Sequence, residues 1–170
     1  MAKNGRDYDL FAVVAVGGAC GALVRFWLET VIKTAADGWP RSTFVVNLSG
    51  CLVLGSVLII ARYFMPEPTS GRLDRLFRPF VVTGVLGGYT TFSTYAVETH
   101  ALAQSDKWAM AAVYAITSIV IGVLFVWIAM RITEFVLNRA GLVDPASSAA
   151  AGSITETREA AVTRESEDEG

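Results

Sequence analysis

Residues 83–95 read Thr83-Gly84-Val85-Leu86-Gly87-Gly88-Tyr89-Thr90-Thr91-Phe92-Ser93-Thr94-Tyr95, with three glycines and five Ser/Thr in thirteen positions. The stretch lies inside a 19-residue run, 79–97, that carries no charge. About 20 apolar residues cross a bilayer as one helix. Gly-Gly followed by Thr-Thr is a poor continuous helix, since glycine and β-branched residues both disfavour it. Non-helical backbone at membrane depth survives only where it is buried in protein or lines a wet cavity. Small residues alone also suit close helix packing; the dense hydroxyls beside them favour a functional break. Carbonyls freed at such a break can bind a hard cation such as sodium.

Outward from this run the same character repeats. Residues 43–61 are 19 without a charge, 108–130 are 23, and 10–24 are 15, after which only Arg25 and Glu29 interrupt the apolar run to Ile32. The chain has 170 residues, 53% of them hydrophobic and 18% charged, with a mean hydropathy of +0.47. Four such runs exclude a soluble enzyme, a disordered chain and a nucleic-acid module. The expected fold class is an all-α membrane protein with four transmembrane helices, at about 10–32, 43–64, 79–103 and 108–135. Residues 1–9 hold Asp7 and Asp9 beside Lys3 and Arg6, too weak a positive region for a cleaved signal, so the first run reads as a mature helix.

The connections are short. Asp37-Gly38-Trp39-Pro40 marks a turn with an aromatic at interface depth, and Pro79 suits the first turn of the third span. The pattern of the last span stops at Gly141, so residues 10–140 form the membrane domain. Residues 141–170 read as a disordered acidic tail: from 144 on it carries 7 Asp+Glu against 2 Lys+Arg, and no Phe, Trp, Tyr or Leu. An even number of spans puts both termini on one side. That side holds Lys3, Arg6, Arg62, Arg72, Arg75, Arg78, Arg131 and Arg139, against Lys33, Arg41 and Lys107 on the other. The excess of basic residues places both termini in the cytoplasm of a multi-pass protein of the cell membrane.

Within the spans the polar residues form a mostly neutral, donor-rich set. Gly17, Gly21 and Arg25 share a face of the first run at i, i+4, i+8, a spacing that lets another helix approach closely. Arg25 either faces a cavity or snorkels to the interface. Asn47 offers two donors and an acceptor, and joins Arg25, Ser93, Thr94 and Tyr114. No carboxylate lies in mid-membrane: Glu29 and Glu98 sit toward span ends. Donors without negative charge suit an anion. Phe92 and Tyr95, at i and i+3, share a helix face, and aromatic edges are partly positive. Two such edges facing a narrow path would hold a small anion as it loses water, whereas a bare aromatic pair ordinarily reads as core packing. Glu98 continues that face toward a pore mouth, and His100 reads as an interface residue. Cys20 and Cys51 read as small packing residues, not a disulfide or metal pair.

These residues resemble a family. Gly17-Gly18 with Gly21-Ala22 and Arg25, Asn47 with Gly50, and Gly87-Gly88-Tyr89-Thr90-Thr91-Phe92-Ser93-Thr94-Tyr95 with Glu98 are similar to the three signatures of the small bacterial fluoride channels, the Fluc or CrcB family, over roughly residues 10–135. The resemblance implies a channel and not an enzyme, passing fluoride passively out of the cytoplasm. It implies an antiparallel dimer in the lipid bilayer with two pores. It implies a structural, non-transported Na+ at the dimer centre, held by the main-chain carbonyls of Gly87 and Thr90 at a break in the third helix. Asn47 matches the pore asparagine, Phe92 and Tyr95 the aromatic pair, Ser93 and Thr94 the polar track, Glu98 the vestibule carboxylate, and Tyr114 the tyrosine of the last helix. The second ring of the pair is usually Phe, so Tyr95 adds a hydroxyl that either donates to fluoride or reshapes the path.

Two other readings compete. A proton-coupled small multidrug exporter needs a carboxylate deep in a span, and the first run offers only Glu29, near its end. A non-transporting scaffold leaves the Gly/Thr break and the buried donors unexplained. The partner is either a second copy or a related subunit. An antiparallel dimer needs one subunit inserted each way, and the basic asymmetry of the loops favours one orientation, which points to a related subunit of opposite bias, whereas the family resemblance favours a homodimer.

Overall fold

The computed structural model describes residues 4–32, 38–64 and 76–142. Lys3, Lys33, Arg72, Arg75 and the tail from 143 onward, on which the orientation and disorder expectations partly rest, lie outside the described residues. The described residues are helical, with no strand among them. The elements are α1 (Asn4–Val31), α2 (Arg41–Phe64), the π-helical α3 (Pro79–Leu86), the single turn α4 (Gly87–Tyr89), α5 (Phe92–Gln104) and α6 (Trp108–Arg139). Among the described residues three helices, against the four spans expected, are long and apolar enough to cross a membrane: Tyr8–Val31, Arg41–Phe64 and Trp108–Arg139. The chain forms two compact units, 1–132 and 133–170, and α1 to α5 all belong to the first.

The ends follow local chemistry. Helix α1 starts six residues before the expected position 10, because Asp7 and Asp9 favour a helix N-terminus and its positive dipole end. The Arg78 guanidinium donates to the Ala61 carbonyl at the end of α2, 2.8 Å away, satisfying an orphan acceptor there. Between α5 and α6, Asp106 takes a positive φ of 58°. There Lys107 N–H bonds back to the Leu102 carbonyl (3.1 Å) and Asp106 N–H to that of Ala103 (3.3 Å), which closes the helix with a Schellman pair. Helix α6 runs to Arg139, four residues beyond the expected 135. In the second unit, Gly141 at φ 65° lets Leu142 N–H reach the Leu137 carbonyl at 3.1 Å, the same closure.

The third apolar run does not form one regular helix. Pro79 stands at its start, where it has no N–H to give and its ring crowds the preceding carbonyl, and the backbone widens into π geometry as far as Leu86. A single α-turn follows. Thr90 then adopts φ −79°, ψ 158° and Thr91 φ −141°, ψ 125°, both extended, before α5 begins.

Glycines set how near α1 approaches α3 and α4. A Cβ on Gly17 would stand 2.7 Å from the Phe80 carbonyl oxygen, and one on Gly84 would stand 3.0 Å from the Gly17 Cα. A Cβ on Gly21 would meet the Val85 carbonyl, and one on Gly88 the Gly18 carbonyl. The two backbones are in direct contact, the arrangement that small residues at i, i+4 permit. Gly55 brings α2 against α6 in the same way, at the Val126 carbonyl. Cys51 is half-buried, its Sγ 3.4 Å from where a Gly122 Cβ would stand. Cys20 is exposed on this chain, so only Cys51 packs inside the subunit. His100 is exposed.

These contacts make unequal demands on neighbouring glycines. Gly21→Ala should destabilise the fold by about 1–3 kcal/mol, the usual penalty for overpacking. Gly18→Ala, whose Cβ would find nothing nearer than 4.0 Å, should stay near wild type. Thermal unfolding of the two variants in detergent checks the difference.

Candidate functional site

The centre of the site is a pair of hydrogen bonds between a side chain and a main chain. Thr91 N–H donates to Asn47 Oδ1 at 2.9 Å, and Asn47 Nδ2 donates to the Thr91 carbonyl at 2.9 Å. One amide side chain on α2 thus satisfies both backbone groups of the first fully extended residue after Thr90. Buried backbone groups without partners are rare and costly, so this clamp is what allows the helix to stop here.

The next turn is capped from within. Thr94 N–H donates to Thr91 Oγ1 at 3.1 Å, the N-cap bond that threonine commonly makes. The Thr91 hydroxyl in turn donates to Thr94 Oγ1 at 3.0 Å and meets Ser93 Oγ at 3.2 Å. Thr90 turns back, its N–H and its Oγ1 both donating to the Leu86 carbonyl at 2.9 Å. Beneath the break, Tyr89 Oη and Ser49 Oγ are 2.7 Å apart. Gly50 leaves room for the Tyr89 ring, whose Cδ1 would lie 3.4 Å from a Cβ there.

These bonds redirect two donors. In a continuous helix Thr91 N–H would close on the Gly87 carbonyl, and Thr94 N–H on the Thr90 carbonyl. Both instead go to side chains. The carbonyls of Gly87 and Thr90 therefore lose their helical donors. Main-chain oxygens at a broken helix are the donor set for a hard monovalent cation. Among the described residues, no group of three or more His, Cys, Asp or Glu is placed to bind a metal, so a cation here would rest on neutral oxygens.

A cavity of about 380 Å³ opens beside the break. Asn47, Gly87, Thr90, Thr91, Phe92 and Tyr95 all line it, and among the described residues no charged one does. The Phe92 and Tyr95 rings stand 5.7 Å apart at 40°. Tyr95 also meets Tyr114 at 5.5 Å, and Tyr114 meets Trp39 edge-on at 5.6 Å. The rings thus continue from the break to the start of α2. Phe92, at the far end of the series, is 79% exposed on this chain. The Tyr95 hydroxyl donates to the Ala115 carbonyl of α6 at 3.1 Å.

The remaining expected residues lie apart from this cavity. Ser93 and Thr94 hold the Thr91 cap and do not line it. Tyr114 is fully buried and donates to Glu98 Oε2 at 2.8 Å. Thr43 Oγ1 donates to the other oxygen, Oε1, at 2.8 Å. Glu98 therefore joins α2, α5 and α6, and lines a second cavity of about 330 Å³ with Gly38 and Lys107. Arg25, on α1, lines neither cavity. One residue escaped the sequence reading. Ser118 lines the first cavity, and its Oγ is buried with no hydrogen-bond partner. Its position, four residues after Tyr114 on the same helix face, is the signal that marks it.

Residues 12–130 match the family described as CrcB-like protein, Camphor Resistance (CrcB). Relatives include Fluoride-specific ion channel FluC 1 of Streptomyces coelicolor, 39% identical over 127 residues, which cover 75% of this chain and 79% of that protein. Fluoride-specific ion channel FluC of Paramagnetospirillum magneticum is 33% identical over 134 residues, 76% of this chain and 98% of that protein. Fluoride-specific ion channel FluC 1 of Mycolicibacterium paratuberculosis is 38% identical over 133 residues, 78% and 96% of the two chains. With three apolar helices of spanning length and channel relatives, the chain is a multi-pass membrane protein. The match runs through α1, α2, the break and most of α6, and the chain belongs to the CrcB-like family.

Proposed function

We propose that the chain is the subunit of a fluoride channel that lets cytoplasmic fluoride leave passively through the cell membrane. The observation that carries this reading is the uncharged cavity where the Asn47-held break meets the Phe92–Tyr95 pair, in a chain whose relatives are named fluoride-specific ion channels. Fluoride is small and strongly hydrated, so entry requires donors and positive edges in place of water, each weak enough to release it. The second amide hydrogen of Asn47, the Phe92 and Tyr95 edges and the uncommitted Ser118 hydroxyl are such groups. In this reading the protein acts as a channel and not as an enzyme, in keeping with the names of its relatives.

In this reading α3, α4 and α5 together make one broken span, the third of four in a membrane domain of residues 10–140, with both termini cytoplasmic. Two subunits pair antiparallel, either two copies or this chain with a related subunit. The Gly87 and Thr90 carbonyls, without their helical donors, would hold a structural Na+ at the centre of the pair, which would supply fixed positive charge without being transported. Arg25, Ser93, Thr94, Tyr114 and Glu98 support the path: Ser93 and Thr94 through the Thr91 cap, Tyr114 and Glu98 through the three-helix junction at its mouth, and Arg25 through its charge on the Gly17–Gly21 face.

The function is tested by fluoride efflux from proteoliposomes of the purified chain, read with an ion-selective electrode. Efflux should proceed without ATP and exclude chloride; efflux that needed ATP, or carried chloride equally, would contradict the reading. Phe92→Ile should cut fluoride flux at least tenfold while the protein keeps its elution volume in detergent, because the ring edge is lost and the volume is nearly kept. Asn47→Leu leaves both backbone groups of Thr91 without partners, at about 1–3 kcal/mol for each. Its flux should vanish and its unfolding midpoint should fall together.

A further inference from the structure

The second cavity brings opposite charges to the end of the ring series away from Phe92. Glu98 and Lys107 both line it, and among the described residues no other charged one does. Its wall residue Leu102 shares a buried cluster with Tyr114, against which Trp39 and Tyr95 pack. Both Glu98 oxygens are drawn toward neighbouring helices, accepting from Thr43 and Tyr114 at 2.8 Å. Lys107 is exposed. Its main chain is fixed by the hairpin closure on Leu102, and its ammonium rests over Gly38, 3.0 Å from where a Cβ would stand. Gly38 has φ 85°, a conformation that favours glycine, so the turn before α2 offers the ammonium bare backbone.

A carboxylate at the mouth of an anion path opposes entry, and the cation beside it decides what an arriving anion meets. We propose that Lys107 is the charge that admits the anion: its ammonium offsets Glu98 at the second cavity and draws fluoride to the mouth of the path. Charges in a cleft raise the local concentration of an oppositely charged ion and its rate of arrival, an effect that falls steeply with salt. Lys107 thus acts by attraction at a distance and not by coordinating the ion. Whatever else the ammonium meets, a neutral residue at 107 removes one positive charge from the mouth. This inference rests on the channel reading.

The test compares wild type with Lys107→Arg, Lys107→Gln and Lys107→Glu in proteoliposomes. Fluoride efflux at one low fluoride concentration is measured at about 10 mM and about 1 M ionic strength, where charges are screened over about 30 Å and about 3 Å. Potassium gluconate on both sides supplies the added salt. The low-salt rate divided by the high-salt rate, taken within one preparation, is independent of how much protein is folded, so a merely structural loss does not move it. Lys107→Arg should keep the wild-type ratio. Lys107→Gln should lower it at least threefold, and Lys107→Glu should lower it further. One ratio shared by all four proteins would overturn the proposal and leave the channel reading standing. A loss in Lys107→Gln that is equal at both salts, complete loss included, would overturn it as well, because the residue would then serve the fold. A wild type that passes no fluoride at either salt would overturn the channel reading and the inference with it.

Discussion

A buried backbone amide must have a partner, and at Thr91 that partner is Asn47. A helix satisfies its N–H and C=O groups internally, which is why helices cross bilayers. Interrupting one exposes groups that hydrocarbon does not solvate. Here a single side chain on α2 takes both polar groups of Thr91, each at 2.9 Å. With those two bonds in place Thr90 and Thr91 remain extended, α5 restarts with its own cap, and the Gly87 and Thr90 carbonyls are released from helical pairing. The rings of Phe92 and Tyr95 stand where they do because α5 begins at this point and in this direction.

The clamp works only if the broken segment is held close to its neighbours, and glycine does that. Gly17 lies against Phe80 and Gly84, Gly21 against Val85 and Tyr89, and Gly88 against Gly18, so that main chain touches main chain. On the other side Gly50 makes space for Tyr89 and the Thr90 methyl. The glycines in the signature stretches thus have a steric duty apart from any freedom of φ. At the outer end Glu98 has a parallel task. It accepts from Thr43 and Tyr114, one from α2 and one from α6, so the carboxylate ties together the helices that frame the rings.

Much of this was legible in the sequence. Three of the four apolar runs became helices of spanning length among the described residues, and in the third run the Gly-Gly-Tyr-Thr-Thr order falls where the backbone turns extended. Asn47 stood out as an amide in an apolar run, but its duty did not: periodicity places it on a face, whereas the Thr91 clamp depends on which main-chain groups the break leaves open. The π geometry of α3 was hidden for the same reason, since it arises from how Pro79 and the glycine contacts are accommodated. Ser118 was passed over because one serine in a span ordinarily bonds back to its own helix, as Ser49, Ser56 and Thr117 do here. Tyr95 stood out as a ring with an added hydroxyl, and only the fold shows that this hydroxyl reaches Ala115.

The most direct measurement of this account is the hydrogen-bond partner of Thr91 N–H, read as a through-bond scalar coupling by NMR on isotopically labelled protein in detergent. The account predicts a coupling from Thr91 nitrogen to the side-chain carbonyl carbon of Asn47, lost in Asn47→Leu. A coupling from Thr91 nitrogen to the Gly87 main-chain carbonyl carbon would mean an unbroken helix and would contradict it.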